Sequence, residues 1–140
     1  MRKPICSVVI PTRDCVDYLK QSIPTIYLQK LDNVEIIIVD DGSTDGSHEY
    51  LAECQKKDKN FVVLQTDGIG PGRARNHAIE NANSDLIAFL DADDLWIEGK
   101  LGRQLAFHEA HPDASLSFTC LLYTSPSPRD LSTSRMPSSA

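Results

Sequence analysis

Short runs rich in apolar residues alternate along this chain with longer stretches in which apolar residues recur at helical spacing. Runs of this length are too short for a stable helix and predict strands. The predicted strands are residues 5–10, 34–39, 61–64, 86–90 and 114–119, and we expect the run at 86–90 to be buried on both faces. The predicted helices are residues 15–28, 47–57, 73–83 and 98–110.

Strands that alternate with helices through short links predict an α/β fold, in which a mostly parallel sheet is covered by helices on both faces. In such sheets, ligands bind at the carboxyl ends of the strands. Polar segments follow three of the predicted strands: PTRD at residues 11–14, DDGS at 40–43 and DADD at 91–94. The sequence therefore predicts one ligand site where these three segments meet.

The segment DADD places three carboxylates, Asp91, Asp93 and Asp94, within four residues. Their mutual repulsion costs free energy, which a divalent cation would relieve. Mg²⁺ and Mn²⁺ prefer oxygen ligands and commonly bind one or two carboxylates together with substrate phosphates. A solvated acidic turn, with Asp94 capping the next helix, explains the same residues. The segment taken alone leaves both interpretations open.

The formal net charge is −6 and the pI is about 5.1, and no basic run is present, which argues against general nucleic-acid binding. The four cysteines lack metal-site or redox spacing, and this favours a reducing, cytosolic setting. The chain contains neither a recognisable signal peptide nor an apolar run long enough to span a bilayer. A cytoplasmic location is expected, with membrane association of the full-length enzyme left open.

Residues 120–140 differ from the rest of the chain, because they are rich in serine and proline and have no regular period. Composition alone predicts a disordered linker. The stretch CLLYTSPSPRD, from Cys120 to Asp130, also matches the translation of a transposase-type sequencing-library adapter without a mismatch. We therefore expect residues 120–140 to be a non-native, disordered tail and the natural sequence to be cut off at about Thr119.

Four motifs occur in a characteristic order: SVVIPTRD, EIIIVDDGSTDGS, GPGRARNHAI and LIAFLDADDLW. Together they resemble the amino-terminal, nucleotide-binding half of a family 2 glycosyltransferase of GT-A fold, over residues 5–119. The resemblance implies inverting transfer of a sugar from a nucleoside diphosphate donor, with a UDP-sugar favoured, to an unidentified glycan or lipid acceptor. It also implies Mn²⁺ or Mg²⁺. The family's catalytic base and acceptor half would follow residue 119. The polypeptide is therefore expected to bind nucleotide diphosphate weakly at best and to transfer no sugar.

The resemblance assigns nucleotide contacts to Pro11, Thr12, Asp41, Arg73, Arg75 and Asp91, and a metal ligand to Asp93. Asp41 would accept a hydrogen bond from a base N–H, typically uracil N3, because a carboxylate only accepts. Pro11 and Thr12 would pack against base and ribose.

The two arginines would lie near the amino end of a helix, where its dipole favours a diphosphate. Asp91 would contact ribose or a water on the metal. Simpler explanations also exist: strand termination for Pro11 and Thr12, an Asx turn for Asp41, and a surface salt bridge for the arginines.

Two residues depart from the family pattern. Arg13 stands where an aromatic residue commonly stacks on the base, and its guanidinium plane could stack instead. Asp14 replaces the usual asparagine, and a cap on the helix at residues 15–28 explains it about as well as a ligand role does. Pro24 lies inside that predicted helix and should kink or split it.

Two other classes share part of the acidic pattern. A haloacid-dehalogenase-type phosphatase also has a strand ending in DxD, but a Thr or Val follows there, whereas Asp94 and Leu95 follow here. A receiver-like signalling module shares an acidic pair after a strand, but its phosphoacceptor pattern does not occur. Metal-dependent binding of a nucleotide sugar would separate a glycosyltransferase from both.

Overall fold

The computed structural model describes residues 2–119. Its strands are β1 (Cys6–Thr12), β2 (Val34–Asp40), β3 (Phe61–Gln65) and β4 (Ile87–Phe89). Its helices are α1 (Val16–Tyr27), α2 (Ser47–Lys57), α3 (Pro71–Glu80) and α4 (Lys100–Ala110). The four strands form one parallel sheet in the order β3-β2-β1-β4. Their carboxyl ends therefore share one edge, and the predicted α/β fold is confirmed.

Helices cover both faces of the sheet because alternate residues of β1 and β2 enter different cores. On one face, Val9, Ile37 and Val39 pack against Ala74 and Ala78 of α3. The other face packs against α1, α2 and α4 through the buried residues Val8, Ile10, Ile36, Ile38, Leu19, Ile23, Leu51, Trp96 and Leu101. The two central strands are thus buried on both faces, which explains their continuous apolar sequences.

Strand β4 is shorter and more exposed than its sequence suggested. The prediction of a strand buried on both faces at residues 86–90 is wrong, since Leu86 is 37% exposed and Phe89 is 48% exposed. Within the described residues, β4 pairs only with β1 and forms an edge of the sheet. An apolar run predicts that a segment is buried, but it does not identify the neighbouring element that buries it.

The fifth predicted strand, at residues 114–119, is also wrong, because this segment has no regular secondary structure. Leu116 and Phe118 are 74% and 87% exposed. A strand needs a neighbouring strand that forms backbone hydrogen bonds with it. Among the described residues, no strand pairs with residues 114–119. The prediction for residues 120–140 lies outside the described residues.

Two prolines lie within helices. Pro24 neither splits nor ends α1, which runs unbroken from Val16 to Tyr27. The predicted split is therefore wrong, and the predicted kink stays a prediction. The proline is exposed, and the backbone carbonyl that loses its N–H partner there can be hydrated. Pro71 is the first residue of α3, where a missing N–H costs nothing, and the helix therefore begins before the predicted residue 73.

The amino end of α1 is capped by a neighbouring loop and not by Asp14. Asp14 has a φ of 49°, and its carboxylate accepts the Thr44 N–H at 2.7 Å. Asp45 instead accepts the N–H of Val16 at 2.9 Å. The predicted cap at Asp14 is wrong, because the acid that satisfies the helix comes from the loop after β2. These bonds tie the loops after β1 and β2 together at the carboxyl edge.

None of the helices described in residues 2–119 has both the length and the apolarity that crossing a membrane requires.

Candidate functional site

A cleft of about 370 Å³ lies at the carboxyl ends of the strands. Of the seven residues predicted to contact nucleotide or metal, six line it: Pro11, Thr12, Asp41, Arg75, Asp91 and Asp93. Arg73, the seventh, is exposed on α3 and is not among the lining residues. The volume falls within the range of small-molecule sites. The chain topology therefore brings together residues that are up to 82 positions apart in sequence.

Asp41 follows the last residue of β2 and is only 4% exposed. Its Oδ1 accepts the Thr66 hydroxyl at 2.6 Å and the Ile69 N–H at 2.8 Å, and its Oδ2 accepts the Gly70 N–H at 2.8 Å. A carboxylate offers about four lone-pair directions, so these three bonds leave one on Oδ2. The Asx-type bond of this segment belongs to Asp40, which accepts the Ser43 N–H at 3.1 Å.

The hydrogen bond from Thr66 is the largest influence on the pKa of Asp41 and lowers it. Burial acts in the opposite direction, and the two N–H groups together with the charge of Arg13 lower the pKa further. The net result is a pKa below the ordinary value, so Asp41 is ionised at neutral pH and can act only as an acceptor.

The loop held by Asp41 leads directly into α3. Gly70, its last residue, has a φ of 87°, a backbone region that favours glycine. Gly70 and Pro71 both line the cleft, so the amino end of α3 faces it. The positive end of the helix dipole is consequently directed toward any anion bound there.

Arg75 and Asp91 both line the cleft and form an ion pair, with Nη2 and Oδ1 separated by 2.7 Å. The salt bridge proposed from sequence as a simpler role for the arginines is therefore present for Arg75. Both side chains are partly exposed, at 34% and 51%, and pairs of this kind contribute little to stability. A ligand anion could displace Asp91 from Arg75 at small cost.

The acidic turn after β4 brings three carboxylates together. Ligand oxygens of Asp91, Asp93 and Asp94 lie within 4.8 Å of one another, and all three residues are exposed. Burial raises the pKa of Asp94, and the charges of Asp93 and Asp91 raise it further. The alternative role of Asp94 as a helix cap does not hold, because α4 begins at Lys100 after an N-cap at Gly99. This all-oxygen donor set fits Mg²⁺ or Mn²⁺.

Thr12 supplies a buried hydroxyl to the cleft. The residue is 5% exposed, and its Oγ1 has no hydrogen-bond partner among residues 2–119. A buried polar atom without a partner is unfavourable, so a ligand atom that bonds it would recover free energy.

Seven lining residues were not predicted as ligand contacts, or only in part, and Arg13, Cys15 and Tyr18 are among them. The Arg13 guanidinium lies 3.6 Å from where a Cβ on Gly68 would stand, beside the loop that Asp41 holds. Cys15 and Tyr18 also line the cleft, and Tyr18 is 56% exposed. The sequence signal for Tyr18 was an aromatic residue next to the apolar Leu19, in the predicted helix that follows PTRD. Trp96, which follows the acidic turn, is 8% exposed and lies in the core.

Comparison with protein-family models matches residues 7–137 to glycosyl transferase family 2. The chain belongs to this family. The matched range passes Thr119, and the non-native origin of residues 120–140 stays a prediction. The phosphatase and receiver alternatives are not favoured by a match of this extent.

Several curated glycosyltransferases are similar in sequence to this chain. The chain is 40% identical over 106 residues to the putative teichuronic acid biosynthesis glycosyltransferase TuaG of Bacillus subtilis, covering 75% of this chain and 42% of that protein. It is 39% identical over 98 residues to the putative glycosyltransferase EpsH of Bacillus subtilis, covering 70% and 28%. The chain thus spans less than half the length of these relatives.

Solved structures share the fold. S. aureus TarS 1-349 superposes with a TM-score of 0.70 at 30% identity, covering 76% of this chain and 33% of that one. TarS has also been solved with UDP and with UDP-GlcNAc. The mannosyltransferase PcManGT of Pyrobaculum calidifontis, solved with GDP-Man and Mn²⁺, gives a TM-score of 0.61 at 25% identity, covering 71% and 30%. The GT-A fold expected for this glycosyltransferase family 2 chain is confirmed.

Proposed function

We propose that this chain is the donor-binding part of an inverting glycosyltransferase, and that its cleft takes a nucleoside diphosphate sugar together with Mn²⁺ or Mg²⁺. The observation that carries the proposal is the meeting, in one cleft, of an ionised acceptor, an arginine and an acidic turn: Asp41, Arg75 and Asp93. Family membership supports it, as do the UDP complex of TarS and the Mn²⁺ complex of PcManGT.

Asp41 favours uracil as the base. Its one remaining lone pair, on Oδ2, can accept a single further N–H. Uracil presents one N–H between two carbonyl groups, whereas guanine presents two adjacent donors on its corresponding edge. The guanidinium of Arg13, which lines the same cleft, can donate to a uracil carbonyl or stack on the ring. We therefore assign a UDP-sugar as donor.

Arg75 and the amino end of α3 would hold the diphosphate. Diphosphate oxygens compete with Asp91 for the Arg75 guanidinium, which is now 2.7 Å from that carboxylate. Asp91, once displaced, can accept a hydrogen bond from a ribose hydroxyl. Thr12 can bond the nucleoside through its unpartnered hydroxyl, and Pro11 supplies an apolar surface beside it. Arg73 would act from the exposed side of α3 by charge alone.

Asp93 would hold the metal ion, assisted by Asp91 and Asp94. A bound divalent cation would offset the negative charge that builds on the departing nucleoside diphosphate. Deprotonation of the acceptor hydroxyl requires a separate carboxylate base, which we place outside residues 2–119. The chain of 140 residues should then bind the donor weakly and transfer no sugar.

Calorimetric titration with UDP, in the presence of Mn²⁺ or EDTA, tests the proposal. Asp93→Ala should abolish the Mn²⁺-dependent part of binding. Asp85→Ala is the matched control, because Asp85 is an 89% exposed surface acid paired with Lys3 and does not line this cleft. GDP should bind at least about tenfold more weakly than UDP. Equal UDP affinity with and without the metal would contradict the metal site, and sugar transfer by this chain would contradict the missing base.

A further inference from the structure

Gln29 lies just beyond the end of α1 and is only 6% exposed. Its side-chain Nε2 donates to the carbonyl oxygens of Thr25 and Ile97, both at 3.0 Å. Its Oε1 accepts the N–H of Leu101 at 2.9 Å. Both amide hydrogens are therefore used, and two of the three bonds reach the segment that follows the acidic turn.

One of these bonds caps α4 from a distance. The N-cap of α4 is Gly99, which has no side chain to bond the free N–H groups of the first turn. Leu101, the second residue of the helix, gives its N–H to Gln29 instead. Gln29 therefore fixes the start of α4 relative to the end of α1.

Thr25, one turn earlier on α1, ties the same segment closer to the acids. Its Oγ1 accepts the Trp96 N–H at 3.2 Å and donates to the Ser22 carbonyl at 2.6 Å. The Trp96 side chain is 8% exposed and packs in the core. On the other side of the turn, the N–H of Leu90 donates to the carbonyl of Val9 at 3.1 Å. The acidic turn is thus held at both ends.

Holding both ends matters because the turn carries three like charges. The oxygens of Asp91, Asp93 and Asp94 lie within 4.8 Å of one another, and their repulsion favours a wider turn. Fixed ends oppose that widening and keep the oxygens close before any cation arrives. Ligands that are held in place in advance bind a metal more tightly than ligands that must be gathered.

We infer that Gln29 is a positioning residue for the acidic turn and raises its affinity for a divalent cation without touching it. The inference rests on the proposed function in that the turn is taken to bind Mn²⁺ or Mg²⁺. Gln29 acts through Ile97 and Leu101, and Thr25 acts through Trp96, so the two side chains support one segment.

The test compares Gln29→Met with Gln21→Met in the 140-residue chain. Gln21 is an exposed glutamine of α1 whose Nε2, among residues 2–119, bonds only the Asp17 carbonyl, within its own helix, at 3.2 Å. Mn²⁺ affinity is measured by calorimetry, and amide exchange by mass spectrometry. Gln29→Met should weaken Mn²⁺ binding by about tenfold or more and speed exchange locally at residues 94–101. Gln21→Met should change neither.

Thr25→Val gives an independent second variant, since it removes one hydroxyl and keeps the side-chain shape. It should weaken Mn²⁺ binding less than Gln29→Met, and the double variant should lose less than the two single losses combined. This variant decides the question if Gln29→Met does not fold.

Three results would overturn the inference, and each has its own meaning. If Gln29→Met and Thr25→Val both bind Mn²⁺ with wild-type affinity while Asp93→Ala loses binding, the proposed function stays intact and Gln29 has no role in metal binding. Faster exchange throughout β1 and β2, as well as residues 94–101, would indicate a purely structural role. No Mn²⁺ binding by the wild-type chain would overturn the proposed function and this inference together.

Discussion

Strand β2 carries a buried carboxylate near each end, and both hold α3. At the carboxyl end, Asp41 accepts the N–H groups of Ile69 and Gly70, just before α3. At the amino end, Glu35 accepts the backbone N–H of Asn83 at 2.9 Å, just after α3, and also the Asn83 side-chain amide. Each acid receives one hydroxyl as well, so the two ends of the strand use the same chemistry.

The two carboxylates differ in what lies beside them. The hydroxyl that donates to Glu35, from Ser7, itself accepts the Ser84 N–H at 3.2 Å, which closes the network at the amino end. Asp41 lines the cleft together with Thr12, whose hydroxyl has no partner among the described residues. Anchoring a helix therefore does not distinguish a ligand-binding carboxylate from a structural one. A ligand-binding carboxylate is distinguished by its position in a cleft, beside a polar group that still lacks a hydrogen-bond partner.

The largest effect is expected at the carboxyl end. Asp41→Asn replaces one acceptor oxygen with an NH₂ group, which would face a protein N–H or the donor of the base. UDP affinity should fall by at least about tenfold, as is typical when a hydrogen bond to a charged group is lost. Calorimetry measures the affinity, and circular dichroism shows whether the fold persists. Affinity within twofold of wild type would remove Asp41 from the binding site.

The matching change at the amino end should act on stability alone. Glu35→Gln leaves Ser7 or Asn83 facing a donor in a residue that is 6% exposed, which should cost about 1–3 kcal/mol of unfolding free energy. Urea unfolding measures this cost. The UDP affinity of the folded fraction should stay within about twofold, since Glu35 lies at the opposite end of the strand. Glu98→Gln, on the exposed surface, is the control and should unfold like wild type.

A pH titration of stability sharpens the same contrast. Burial is the largest influence on the pKa of Glu35 and raises it, but hydrogen bonds from Asn83 and Ser7 outweigh burial and the pKa is lowered. A lowered pKa in the folded state adds stability above the unfolded value, and this stability is lost as pH falls through the folded value.

The difference in unfolding free energy between wild type and Glu35→Gln should therefore shrink as pH falls below about 4.3, the ordinary glutamate value. Urea unfolding at a series of pH values measures it. A difference that stays constant down to the acid limit of folding would show that the ionised form of Glu35 contributes nothing.

Much of the fold could be predicted from the sequence, because the local periodicity of apolar residues differs between strands and helices. The cleft followed as well, since parallel strands bring their carboxyl ends together and the polar segments came directly after them. Asp41, Asp91 and Asp93 were predicted to meet for this reason, and they line one cleft.

Features set by contacts distant in sequence could not be read in the same way. The position of Asp14 just before α1 predicts a cap, yet Asp45 supplies the bond to Val16 from 29 residues away. Gln29 carries no periodic signal, because its partners lie 68 and 72 residues further along the chain. Residues 114–119 have the composition of a strand but lack a paired neighbour in the described structure. Local pattern predicts elements, whereas partners depend on the assembled fold.

The smallest expected effect concerns two buried hydroxyls, Thr12 and Ser22, that have no partner within residues 2–119. Thr12 lines the cleft, and Ser22 lies on the buried side of α1. Thr12→Val and Ser22→Ala each remove an unsatisfied polar atom, so neither should lower the unfolding free energy measured in urea. If the Thr12 hydroxyl bonds the nucleotide, only Thr12→Val should weaken UDP binding, by about fivefold. If Thr12→Val and Ser22→Ala both bind UDP with wild-type affinity, the Thr12 hydroxyl does not contact the nucleotide, although it lines the cleft.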